Sequence, residues 1–128
     1  GGHLPELSAM TVVANATSEN LSSTTSTSWQ TKVEASGPVP EGWYNIWTSM
    51  ELSGSVAGTA VQMQVVLDGT AVNEQTYRPG VANDPLIISP FGRVQLTEGT
   101  HSIAIQYRTS NASATAYIRR ARLTVMKD

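Results

Sequence analysis

Two tryptophans four positions apart, Trp43 and Trp47, are the residues whose type and spacing best suit a binding chemistry. An indole joins a large apolar plate to one N–H donor, so it can either seal a protein interface or stack against a sugar ring. Tyr44 stands between them and Trp29 lies upstream. These four side chains are the candidate subunit interface or ligand platform. A second group is basic. Four of the chain's eight Lys and Arg residues fall in its last ten positions, with Arg119, Arg120 and Arg122 closely spaced. Their guanidiniums suit contact with an anionic ligand or an acidic neighbouring subunit, and equally suit a charged sheet edge that resists pairing with another chain.

Catalytic chemistry finds few candidates. The sequence holds no nucleophile elbow, phosphate loop, dinucleotide fingerprint, paired-histidine metal motif or EF-hand spacing. Its ten acidic residues are scattered over turns, so a glycosidase-type carboxylate pair would have to be assembled by the fold. With no cysteine, a zinc site would need His3 and His101 plus carboxylates. No metal and no cofactor are expected. His101 alternates in phase with Ile103, Ile105 and Tyr107, which puts it at the core or its rim as a structural histidine. Asp68 is explained by a hairpin, Asp84 precedes a proline in a turn, and neither shows an obvious partner.

Composition narrows the partners. Ser and Thr supply 29 of 128 residues and charged residues only 14%, against about 25% in ordinary soluble domains. A net charge of −2 offers no basic field for nucleic acid. No segment reaches the roughly 18 apolar residues of a membrane span. Three Asn-X-Ser/Thr matches, at Asn15, Asn20 and Asn111, are expected by chance in so Ser/Thr-rich a chain and matter only in a eukaryotic secretory setting.

The elements that must position these residues are strands. Apolar and polar residues alternate along most of the chain, most clearly over Thr59 to Leu67, where Val61, Met63, Val65 and Leu67 share a face. The following Asp68-Gly69 predicts a two-residue hairpin returning through Ala71 to Arg78. Further strands are expected over Met10 to Ala14, Ser28 to Ser36, Gly42 to Leu52, Leu86 to Ser89 with Arg93 to Leu96, Thr100 to Arg108, and Ser113 to Met126. Residues 1–8 read as a linker remnant and 9–128 as one domain. The polar Asn15 to Ser28 stretch is expected to cross the surface as a loop.

Two strands have faces that disagree with a solvated sheet. In Gly42 to Leu52 the set Tyr44, Ile46, Met50 and Leu52 is apolar, yet Trp43 and Trp47 occupy the opposite face. Cover by a loop such as Asn15 to Ser28, a subunit seam, or a sugar platform would each account for them. In the last strand Ala121, Leu123 and Val125 alternate inward, and Ile118 is out of phase unless a bulge lies near Arg119. The strand count predicts an all-β antiparallel sandwich of about eight strands, with jelly-roll topology preferred over an immunoglobulin-like one.

The run from Glu98-Gly99-Thr100-His101 through Arg108, a short Ser/Asn turn, and then Ala116 to Val125 with its Arg119-Arg120-Ala121-Arg122-Leu123 centre resembles the closing hairpin of jelly-roll domains in bacteriophage virion proteins. Fibre tips and head-surface proteins are among these, and tumour-necrosis-factor-like and complement-head-like trimers share the architecture. The resemblance implies a non-enzymatic virion-surface protein, a homotrimer packed along apolar sheet faces that meets other virion proteins or a host glycan. It carries over no binding residue. The alternative reading is a carbohydrate-binding module, secreted or extracellular, in which Trp29, Trp43 and Tyr44 stack on sugar rings. A glycan-active enzyme is the third.

Overall fold

The computed structural model describes residues 11–128. The expected linker at 1–8, His3 and Met10 lie outside them. Within the described residues ten strands form: β1 (Thr11–Ser18), β2 (Ser22–Thr24), β3 (Gln30–Val39), β4 (Gly42–Gly54), β5 (Val61–Leu67), β6 (Thr70–Tyr77), β7 (Leu86–Ile88), β8 (Phe91–Leu96), β9 (Gly99–Thr109) and β10 (Ala116–Lys127). Every pairing is antiparallel. The strands make two sheets, A (β1 and β2, then β10, then β4, then β7 and β8) and B (β3, β9, β5, β6).

Both β1 and β2 run along one edge of β10, while β7 and β8 run along the far edge of β4. Each pair is therefore one interrupted strand, and the ten segments reduce to eight. Renumbered so, sheet A reads 1-8-3-6 and sheet B 2-7-4-5, the order of a jelly roll. The break between β7 and β8 falls at Ser89-Pro90, where the ring denies the ladder a donor. Thr48 on β4 binds the Pro90 carbonyl there, donating from its backbone N–H at 3.2 Å and from Oγ1 at 2.6 Å. Pro38 is tolerated inside β3, which extends past the expected stop at Ser36, because β3 is the edge of sheet B.

The core lies between the sheets and is built by alternation, broken once in β10. Tyr44, Ile46, Met50 and Leu52 of β4 and Ile118, Ala121, Leu123 and Val125 of β10 face Val61, Met63 and Val65 of β5 and Ile103, Ile105 and Tyr107 of β9. Truncating a fully buried member such as Leu123 to Ala costs about 2–5 kcal/mol. The β5–β6 hairpin turns on Asp68 and Gly69, with φ of 49° and 84°, the two positive values a primed turn needs. In β10 the register against β4 slips between Arg119 and Arg122, with Arg120 at φ 51°. This is the bulge that the phase of Ile118 demanded. It lets Ile118 and Leu123 both face the core while projecting three arginines outward.

Candidate functional site

Because β4 alternates so strictly, its solvent side carries Trp43, Asn45, Trp47, Ser49, Glu51 and Ser53 in one row. At roughly 3.3 Å per residue the two indoles stand about 13 Å apart. Trp43 is 43% exposed and Trp47 50%. The loop-cover reading therefore fails: the Asn15 to Ser28 stretch is partly strand, and β1 and β2 pair with the far side of β10 instead of lying over β4. Sequence reasoning missed Phe91 at this site. It sits opposite Trp47 in the β4–β8 register and is 45% exposed. The two rings lie 4.5 Å between centroids at 50°, a tilted aromatic contact.

Polar groups frame the rings. The Arg93 guanidinium lies 4.3 Å over the Trp43 ring, a cation–π contact that leaves the rest of the indole open. Asp128 binds Arg93 and also accepts from Asn45 Nδ2 at 2.5 Å. The hydrogen bonds from Arg93 and Asn45 hold the Asp128 carboxyl below its usual range. A chain of Asp128, Arg93 and Trp43 thus fixes one end of the platform. Ile87, 71% exposed, lies across from Glu51 and continues the apolar stripe past Trp47 and Phe91.

The other two candidates of the platform lie elsewhere. Tyr44 is fully buried, its hydroxyl donating to the Pro40 carbonyl at 2.5 Å, because it belongs to the inward set of β4. It is a core residue and meets no ligand. Trp29 precedes β3 on the opposite side of the sandwich, beneath the Arg108 guanidinium at 4.1 Å to the ring centroid. It does not join Trp43 and Trp47.

The three arginines are already paired. Arg119 donates to Glu51 Oε1 at 3.1 Å and Arg120 to Glu51 Oε2 at 2.9 Å, while Arg122 donates to Glu19 at 2.8 Å and 3.2 Å. Burial pushes the Glu51 carboxyl up, and the hydrogen bonds and charges of Arg119 and Arg120 outweigh it, so it is held below the usual carboxylate range. Glu19 is held low by its hydrogen bonds with Arg122. Three guanidiniums thus face two carboxylates, and each of the three already donates to one of them. Strand β10 is not a charged edge, since it runs inside sheet A between β1 and β4. A hollow of about 370 Å³ lies beside this cluster, lined by Leu21, Glu51, Ser53, Asn83, Tyr117 and Arg119 among others.

His101 sits at the rim as expected, with a partner the sequence did not reveal. Its Nδ1 lies 2.5 Å from Asp68 Oδ2 and its Nε2 donates to the Thr97 carbonyl at 2.8 Å. Asp68 also accepts from the Ser102 N–H at 2.8 Å. Both ring nitrogens are engaged, so His101 is spent on structure.

No family model and no curated protein matches this chain. Among solved structures, dimeric latent PorU from Porphyromonas gingivalis is similar over 94% of this chain, with a TM-score of 0.61 at 8% identity. The insecticidal delta-endotoxin Cry8Ea1 from Bacillus thuringiensis is similar over 67% of it, at 16% identity and a TM-score of 0.45. This chain spans only 13% and 19% of those two proteins. The carbohydrate-binding module CBM36, solved with calcium and xylotriose, matches over 90% of this chain and 98% of its own length, at 15% identity and a TM-score of 0.45. At such identities the PorU match bears on the fold alone, in agreement with the β-sandwich.

Proposed function

We propose that this domain is a non-enzymatic binding module that seats a carbohydrate chain along the outer face of sheet A, with Trp43, Trp47 and Phe91 as the stacking platform. One observation carries the reading: three exposed aromatic rings, Trp47 beside Phe91 and Trp43 farther along β4, share a sheet face with the hydrogen-bonding side chains Ser49, Arg93 and Gln95. Apolar plates among placed donors and acceptors are what a sugar requires, since its ring has an apolar face and a polar rim. The nearby carboxylates support a non-catalytic role. Glu51 and Glu19 are each held ionised by guanidiniums, so neither keeps the proton that a glycosidase acid must give.

An array of neutral and acidic glycans, probed with the wild-type domain and with Trp47→Ala, tests this reading. The expected result is binding to a subset of glycans that weakens by about 30-fold in the variant, the hot-spot scale of about 2 kcal/mol. Its mass in solution should not change. A second reading draws on Ile87, whose exposure extends the apolar stripe. There the same face is the seam of a homotrimer on a virion surface. Under that reading Trp47→Ala leaves every glycan signal untouched and turns a concentration-independent trimer into monomers in light scattering.

A further inference from the structure

Resting on the carbohydrate reading above, we propose that the hollow at the far end of β4 is a sugar-ring subsite selective for an uncharged, polyhydroxylated residue, gripped by the Glu51–Arg119 pair. Its position makes it an extension of the platform. Glu51 and Ser53 stand in the same outward row as the two indoles, and Glu51 follows Trp47 by about 13 Å. A chain lying along β4 over Trp43 and Trp47 runs into it.

Its size and lining fit the task. A volume of about 370 Å³ falls within the roughly 300–1,000 Å³ of small-ligand sites. Leu21 and Pro85 bring apolar surface to the lining, and Tyr117, Ser53 and Asn83 are residues that carry hydrogen-bonding side chains. A guanidinium has five N–H donors, and Arg119 spends one on Glu51 Oε1. An ionised carboxylate has about four acceptor sites, two of which Glu51 gives to Arg119 and Arg120. A donor and an acceptor therefore stand side by side, which matches two adjacent hydroxyls acting as acceptor and donor in turn.

The backbone at two lining positions is constrained. Arg119 is placed by the β10 bulge, and Asn83 has a left-handed backbone, φ 63°, held by its N–H donating to the Gly54 carbonyl at 2.7 Å. Charge sets the selectivity. The lining carries one charge of each sign, Arg119 and Glu51, paired with one another, so a ligand carboxylate seated on the acceptor side would meet the Glu51 anion at short range.

Nitrogen-edited NMR of the intact domain separates this proposal from the one beneath it. The probes are methyl glycosides of glucose, galactose, mannose and xylose, and the methyl glycoside of glucuronic acid, titrated to a range suited to Kd values on the order of millimolar. The Asn83 side-chain amide and Arg119 Nε–H report on the hollow, and the Trp43 and Trp47 indole N–H groups report on the platform. The expected result is that at least one neutral glycoside shifts the Asn83 and Arg119 signals, with a Kd that changes less than about twofold between roughly 0.1 and 1 M salt. The glucuronide binds there more weakly. Asn83→Gly keeps the left-handed backbone and raises the Kd at Arg119 about fivefold, leaving the indole shifts as they were. Indole shifts with silence at Asn83 and Arg119 would overturn the subsite and leave the platform standing. Tighter, salt-sensitive binding of the glucuronide would overturn the selectivity. Silence at all four reporters would remove both.

Discussion

The two outer faces of this sandwich are made by the same alternation yet treat solvent differently. On sheet B the outward residues satisfy one another across strands. Gln64 donates to Gln106 at 2.7 Å and Gln106 to Thr31 at 3.2 Å, while Arg108 donates to Gln62 at 2.8 Å and covers Trp29. Its tryptophan, Trp29, is half-buried under that guanidinium. On sheet A the tryptophans stand open, and a hollow of about 370 Å³ lies in the same face. A sheet needs only one buried face to fold. Sheet B uses its other face to knit four strands together, and sheet A leaves its other face available.

The sharpest way to break this contrast is to remove a tryptophan from each face. Trp43→Ala should weaken glycan binding by about 10-fold or more, whereas Trp29→Ala should leave Kd within about twofold, both read by isothermal titration calorimetry. Equal losses would mean that the exposed and half-buried indoles are functionally alike and would end the distinction. Next in size is the cross-strand network. Gln106→Ala removes two side-chain hydrogen bonds and should lower unfolding free energy by about 1 kcal/mol in a urea titration, without moving Kd. A loss of binding there would place a ligand on sheet B.

How much of this was legible beforehand follows from range along the chain. The strands, the Asp68-Gly69 turn and the bulge near Arg119 are local signals of alternation, turn chemistry and a phase break, and the structure has all three. That Trp43 and Trp47 oppose Tyr44 was legible too, although Tyr44 then belonged with the core. Strand β2 was hidden because Ser22-Ser23-Thr24 pairs through backbone alone and carries no apolar residue. The Glu51 pairings with Arg119 and Arg120 bridge 68 and 69 residues, and nothing in either segment marks the other. Phe91 was passed over because its neighbours Pro90 and Gly92 read as turn chemistry, when only one face of a broken strand was needed to hold it.

The smallest expected effect is the one that separates the faces by pH. Among the described residues, the ion pairs of sheet A's face all use arginine, Arg93, Arg119, Arg120 and Arg122, which does not titrate in the accessible range. The ion pair on sheet B is His101 with Asp68, and it titrates at both ends. Hydrogen bonds to Asp68 and to the Thr97 carbonyl raise the His101 pKa above its ordinary 6.5. Its stabilisation is therefore complete below about pH 6.5 and is lost as pH rises through the raised folded value. The hydrogen bond from His101 holds the Asp68 carboxyl below its ordinary 3.8. That contribution is complete above about pH 3.8 and is lost as pH falls through the lowered value. Unfolding free energy measured against pH should show a shallow plateau between the two limits, and His101→Gln should abolish the decline on the alkaline side. Glycan affinity over the same alkaline range should stay level, because nothing that frames the Trp43 and Trp47 platform changes charge there. A Kd that followed the His101 titration would show the two faces to be coupled through the core, and their independence would have to be given up.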